Sequence, residues 1–358
     1  MFDIGRPLHL HLNGLHFPRL ETLSLDSVSI DWHGFTLPNL VSLTLTTTRA
    51  GQARQPTLDA LLDFLEAAPL LQTLNLTGLG PTFLPVTSQP SRSPLRLNHL
   101  RTFRFLSPSA GCLALLSHLS LPVDVCMTIL GSPLPIPEDG AAVPPSAKTI
   151  MSVLPAPMKY TVLSQIRTVH LHIWDEGFTL HADSKHTGYK NRLSTLRVIL
   201  DSAEDVCDAF LPNSLSELPH IFPSALTSLM VESGGLNLVD RHQWMLLFAA
   251  FPHLLILRLC SDTPLSQECF TALRGSGDLP IPCDKLQILD LGCEQGAEEE
   301  ISDMLDGVQC CLEDRLQAGA RLVELQVTAP TLSRRREEYA ARLGELVTVL
   351  KLSSQFSS

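Results

Sequence analysis

Aliphatic residues recur along the chain in the string L-x-x-L-x-L or a close variant. The anchors run Leu20-x-x-Leu23-x-Leu25, Leu40-x-x-Leu43-x-Leu45, Leu71-x-x-Leu74-x-Leu76 and Leu100-x-x-Phe103-x-Phe105. They continue as Ile166-x-x-Val169-x-Leu171, Leu193-x-x-Leu196-x-Val198, Leu226-x-x-Leu229-x-Val231, Leu254-x-x-Leu257-x-Leu259, Leu286-x-x-Leu289-x-Leu291 and Leu322-x-x-Leu325-x-Val327. The last two aliphatic residues of each string flank a single residue, the alternation of a short strand with one buried face. Most anchors stand about 30 residues apart, a period typical of repeat proteins. The step from Leu100 to Ile166 is twice that and predicts one degenerate repeat near Leu121 to Leu130. Pro18, Pro38, Pro69 and Pro252 each stand two residues before the first Leu of a string. Proline has no N–H for a ladder and suits the position just ahead of a strand.

Between the strings the period changes to that of a helix. Leu58, Leu61, Leu62 and Leu65 fall on one helical face. Ala203 to Leu211, Arg241 to Phe251 and Leu265 to Arg274 read the same way. Glu298 to Leu316 is the longest pattern, with Ile301, Met304, Leu305, Val308, Leu312 and Leu316 on one stripe, and Arg334 to Leu350 is expected to form a last helix.

One strand plus one helix cannot bury its apolar faces alone, but stacked copies bury them jointly. The expected fold is therefore α/β: a leucine-rich repeat solenoid, or horseshoe, of about 10–11 repeats over residues 1–352, with a parallel concave sheet and convex helices. The alternative is an α/β protein whose Leu-rich strands are unrelated. Proline-rich insertions are expected near 80–96 and 131–158, and a disordered tail at 353–358. Leu8, Leu10 and Leu12 already look like an inward-facing strand, so the chain is expected to begin inside a structure.

Composition narrows the functional classes. Hydrophobic residues make up 44% and charged residues 18%, which excludes a disordered chain, while aromatics are only 6%, so Leu must build the core. A net charge of −11 argues against nucleic-acid binding. The longest apolar run, Trp244 to Phe251, is far short of a membrane span, so no membrane partner is expected. The nine cysteines are scattered without C-x-x-C spacing, and Met1 to Arg6 does not open a signal peptide. An intracellular setting, cytoplasmic or nuclear, is expected.

No P-loop, H-E-x-x-H, G-x-S-x-G or complete dinucleotide-binding glycine motif occurs, so no catalytic residue and no cofactor is assigned. The pairs His9/His11 and His170/His172 would each share one strand face, yet no further ligand is spaced to complete a metal site, and none is assigned. Cys260 has no base near it in sequence. Arg334 to Arg336 reads as the solvated start of the last helix, balanced by Glu337 and Glu338.

The residues between the buried aliphatics should face outward on the concave sheet. Early repeats present Ser24, Asp26, Ser42, Thr44, Thr46, Thr73, Asn75 and Thr77, and late ones Ile288, Asp290, Glu324 and Gln326. The middle presents Arg104, His170, His172, Arg197, Met230, Glu232 and Arg258, the candidate partner-binding residues. Arginine pairs well with carboxylate and phosphate, so the expected partner is a protein with an acidic or phosphorylated segment. The plainer reading is a set of ordinary solvated strand residues.

The strings Phe17-Pro-Arg-Leu-Glu-Thr-Leu-Ser-Leu, Leu37-Pro-Asn-Leu-Val-Ser-Leu-Thr-Leu and Ala68-Pro-Leu-Leu-Gln-Thr-Leu-Asn-Leu resemble the C-terminal leucine-rich repeats of fungal F-box proteins, especially those of mushroom-forming fungi. Leu115-Leu-Ser-His-Leu-Ser-Leu-Pro122 is similar to the same group. The resemblance implies substrate recognition for an SCF-type (cullin-RING) ubiquitin ligase. No F-box-like L-P-x-E-[IL] segment precedes the first repeat, so docking on the ligase adaptor is expected only if an F-box lies upstream. The runner-up is a free-standing repeat scaffold.

Overall fold

The computed structural model describes residues 9–10, 18–30, 37–47, 56–79, 93–107, 109–131, 150, 154, 161–174, 177–184, 196–201, 207–222, 226–274, 280–330, 332 and 335–354. The chain divides into two compact units: unit 1 takes residues 1–163 and 191–202, unit 2 residues 164–190 and 203–358. In chain order the sheet strands are β1 (Thr22–Asp26), β2 (Ser42–Thr46), β3 (Thr73–Thr77), β4 (Thr102–Leu106), β5 (Cys126–Gly131), β6 (Thr168–Trp174), β7 (Gly177–Asp183), β8 (Leu196–Asp201), β9 (Ser228–Ser233), β10 (Ile256–Ser261), β11 (Ile288–Cys293), β12 (Glu324–Thr328) and β13 (Val349–Ser353). The helices are α1 (Leu58–Glu66), α2 (Ser109–Ser117), α3 (Cys207–Ile221), α4 (Arg241–Ala250), α5 (Gln267–Arg274), α6 (Glu298–Gln317) and α7 (Arg336–Gly344), with one further turn at Thr161–Ser164.

The last two aliphatic residues of all ten strings lie on strands, and β5 falls where the degenerate repeat was expected. The unit 1 sheet is parallel throughout, in the order β1-β2-β3-β4-β5-β8. The unit 2 sheet runs β7-β6-β9-β10-β11-β12-β13, parallel except for the antiparallel β6–β7 hairpin. Each unit is thus α/β with a mostly parallel sheet. The strands do not stack in chain order: β8 pairs with β5, and β6 pairs with β9.

A repeated turn sets each strand in place. Leu40, Leu71 and Leu254 donate their N–H to the carbonyls of Leu37, Ala68 and Phe251 at 3.0, 3.2 and 3.1 Å. Pro38, Pro69 and Pro252 are the second residue of these turns, where a fixed φ is an advantage. Two successive N–H groups then share one carbonyl of the preceding strand segment, as Gln72 and Thr73 share Val41 O, and Leu255 and Ile256 share Thr227 O. The register this fixes aligns like with like. Leu25, Leu45, Leu76, Phe105, Ile129 and Val198 form one buried row of unit 1, and Leu171, Val231, Leu259, Leu291, Val327 and Leu352 the equivalent row of unit 2. Truncating a Leu or Ile of these rows to Ala costs about 2–5 kcal/mol.

The helices start at recognisable caps. Thr57 Oγ1 accepts from Ala60 N at 3.2 Å ahead of α1, whose Leu58, Leu61, Leu62 and Leu65 are all buried. Asp240 and Gln243 form a capping box on α4. In unit 2, α3 to α7 pack each on the next.

Several expectations need correction. Helix α3 runs on through Pro212 and Pro219 to Ile221, because Leu211, Ser214, Leu215, Leu218 and Ile221 bury one continuous face. The last helix stops at Gly344, and the following residues form β13, whose Leu350 and Leu352 align with Leu325 and Val327. On α6 the inward position near the end belongs to Arg315, fully buried, and Leu316 is exposed. Leu95–Arg96, expected within the first insertion, pairs with Leu119–Ser120. Gly131 closes β5, and Ile150 and Leu154 are buried; the rest of the second insertion lies outside the described residues. Ser353, expected in the tail, belongs to β13, and 355–358 lie outside the described residues. His9–Leu10 pairs with Ser29–Ile30 as a separate two-stranded piece, and Leu8 and Leu12 lie outside the described residues.

Candidate functional site

Because side chains alternate along a strand, the residues between the buried aliphatics all emerge on the other face of each sheet. In unit 2 one outward row runs His181, His170, Met230, Arg258, Asp290, Gln326 and Lys351 across seven strands. The next row holds Thr179, His172, Glu232 and Cys260. The sequence-derived candidates His170, His172, Met230, Glu232 and Arg258 therefore lie together on β6, β9 and β10.

Charges on this face meet partners on neighbouring strands. Glu232 Oε2 lies 3.1 Å from His170 Nε2 and 3.9 Å from His172 Nδ1. The His170 hydrogen bond holds the Glu232 carboxyl below the usual carboxylate range, against the opposing effect of burial. Arg258 Nε lies 3.4 Å from Asp290 Oδ2, and Lys351 pairs with Glu324. Asp290 is only 17% exposed, and burial raises its pKa more than Arg258 lowers it. Cys260 sits between these carboxylates; burial first, then Glu232 and Asp290, push its thiol up to about 12, the reverse of what a thiolate nucleophile requires. The rings of His170 and His172 stack with centroids 6.5 Å apart, and His172 leans on Trp174 at 5.3 Å. Among the described residues no three His, Cys, Asp or Glu side chains are placed to hold a metal ion.

Unit 1 brings the remaining two candidates together. Its central outward row is Ser24, Thr44, Asn75, Arg104, Thr128 and Arg197. Arg104 and Arg197 flank Thr128, one strand away on each side, and both are exposed. Neither side chain forms an ion pair or hydrogen bond among the described residues. Asn75 Nδ2 donates to Thr44 Oγ1 at 3.2 Å, so that part of the row is tied to itself. The next row along the same strands is Leu106, Leu130 and Ile199, all half-buried. The seven candidates thus form two groups, Arg104 with Arg197 in unit 1 and the other five in unit 2.

Formal charge divides the same way. Of the 26 Lys and Arg and 37 Asp and Glu in the chain, unit 1 has 12 and 11, leaving 14 and 26 for unit 2.

Sequence reasoning missed the hairpin strand β7, although Phe178, Leu180 and Ala182 alternate with Thr179 and His181 as a strand requires. It also missed Thr128, Leu130 and Leu106, because the degenerate β5 hides the register that sets them beside Arg104 and Arg197. A cavity of about 990 Å³ in unit 2, lined by Phe248, Pro252, Ile281, Arg274 and Asp314, was not foreseen either. Two of its three charged residues pair, Arg274 Nε donating to Asp314 Oδ2 at 2.6 Å, and Asp284 is the third. Near it, Arg315 donates to the carbonyls of Leu273, Pro282 and Cys283 at 3.2, 2.9 and 2.7 Å, fastening the Pro280–Lys285 segment to α6.

No helix among the described residues is long and apolar enough to cross a membrane. Compared with known proteins, the chain matches no family model and no curated protein.

Proposed function

We propose that this chain is a non-catalytic protein-interaction module, a leucine-rich repeat solenoid whose concave sheet receives a protein partner. One observation carries the reading: in-register repetition leaves a row of polar side chains, one per strand, running unbroken across six strands in unit 1, and a largely polar row across seven in unit 2. Stacked repeats characteristically use such extended faces for binding. The favoured role is substrate recognition for an SCF-type ubiquitin ligase in the cytoplasm or nucleus, supported by the resemblance of the Pro-x-Leu-x-x-Leu-x-Leu strings. The alternative is a free-standing scaffold. No nucleic acid and no cofactor takes part.

Photo-crosslinking tests the module. A crosslinking residue at Thr128 or Met230 should capture a partner in cells, and one at Asp59, on the exposed side of α1, should not. Equal capture from Asp59 would sink the reading. Co-purification of a cullin and its adaptor with the native protein would support the ligase role, and partners without either would support the scaffold.

A further inference from the structure

We infer that the outward face of β4, β5 and β8 binds a protein segment that carries carboxylates beside apolar side chains. This inference rests on the interaction-module reading and names the partner's chemistry. The surface has two adjacent rows. Arg104, Thr128 and Arg197 form one, and Leu106, Leu130 and Ile199 the other, two residues further along the same strands.

The arginines are placed for recognition rather than for the fold. Both are exposed, and neither meets a carboxylate or any hydrogen-bonding partner among the described residues. Arg258 on unit 2 meets Asp290, and Lys351 meets Glu324. With Thr128 between them, the two arginine Cα atoms stand two strand spacings apart, about 9.6 Å. At that spacing each guanidinium fork can hold a carboxylate of its own. Carboxylates at alternate positions of an extended segment are about 6.7 Å apart, within reach of both forks.

The apolar row supplies what charge alone does not. Half-buried Leu106, Leu130 and Ile199 give a partner apolar area to cover, and the arginine row beside them orients it. Unit 1 is near neutral, with 12 basic and 11 acidic residues, so an acidic segment meets no general repulsion there; unit 2, with 14 against 26, would repel it.

The test is selection from a display library of random 12-residue peptides on the full chain, followed by fluorescence anisotropy of the winners. The expected winners combine Asp or Glu with Leu, Ile or Phe. R104E/R197E should weaken them at least tenfold, L130S about as much, and D59N, on the exposed side of α1, less than twofold. Thermal melts of all variants report whether the fold is intact. Winners without acidic residues, or winners that R104E/R197E still binds, overturn the inference; if R258E or E232Q abolishes their binding instead, the module reading stands with its site on unit 2. Winners whose phosphoserine versions bind far tighter than the Glu originals make phosphate the ligand and also overturn it. A dimer in sedimentation velocity that R104E/R197E dissolves would make a second copy the occupant and would overturn it as well.

Discussion

The two units apply one repeat to opposite ends. On the outward face of unit 2, Glu232, Asp290 and Glu324 take up His170, Arg258 and Lys351 from adjacent strands, so much of its charge is spent within the sheet. On unit 1 the matching row is hydroxyls and one amide, with Arg104 and Arg197 left open to solvent. The buried row of unit 1 from Leu25 to Val198 and that of unit 2 from Leu171 to Leu352 are nearly interchangeable, all Leu, Val, Ile or Phe. Packing therefore leaves the outward residues unconstrained, and neighbouring strands decide whether an outward charge stabilises the fold or stays available.

If charge is structural in unit 2 and not in unit 1, substitutions should separate the two. R315M should have the largest effect, a loss of about 3 kcal/mol or more, because three carbonyls lose their donor in a buried site. Chemical denaturation measures it, and a loss below about 1 kcal/mol would mean that water replaces the guanidinium. E232Q should follow, at about 1 kcal/mol near neutral pH. The folded chain lowers the Glu232 pKa, so its contribution is present above the ordinary carboxylate range and is lost as pH falls through the lowered value. The gap between wild type and E232Q should accordingly close on acidification, and a gap that widens contradicts the pairing.

Asp290 gives the opposite sign. Its pKa is raised in the folded chain, so its charge opposes folding at neutral pH and this cost disappears as pH falls through the raised value. D290N should leave stability unchanged or raise it by up to about 1 kcal/mol, because Arg258 keeps access to water. A clear loss in the same denaturation series would show that Arg258 depends on it. Smallest of all, R104Q/R197Q should shift stability by no more than about 0.5 kcal/mol. A larger loss would place these arginines among the structural charges and erase the contrast between the units.

The strands were legible because their signal is local. Leu74 and Leu76 announce a half-buried strand whatever surrounds them, and Pro69 announces the turn before it. The pairing of those strands was not legible, since β8 resembles its neighbours in sequence but joins β5. Candidate residues were found one at a time for the same reason. The sequence singles out both Arg104 and Arg197, yet that Thr128 alone separates them is a property of the sheet. Arg315 escaped notice because a stripe drawn through Leu312 and Leu316 treats an arginine as surface, whereas three inward carbonyls make it the better occupant. Its neighbour Leu316 was displaced outward accordingly.

The position of β8 also bears on the order in which the protein is made. When a ribosome has delivered β1 to β5, the sheet of unit 1 still has a bare edge at Cys126–Gly131. The nascent chain must next produce β6 and β7, which belong to unit 2, before Leu196–Asp201 emerges and covers that edge. Unit 1 therefore cannot finish folding before synthesis of unit 2 has begun. During that interval an unpaired strand is open to pairing with another chain, the state in which chaperones and aggregation compete for a growing polypeptide.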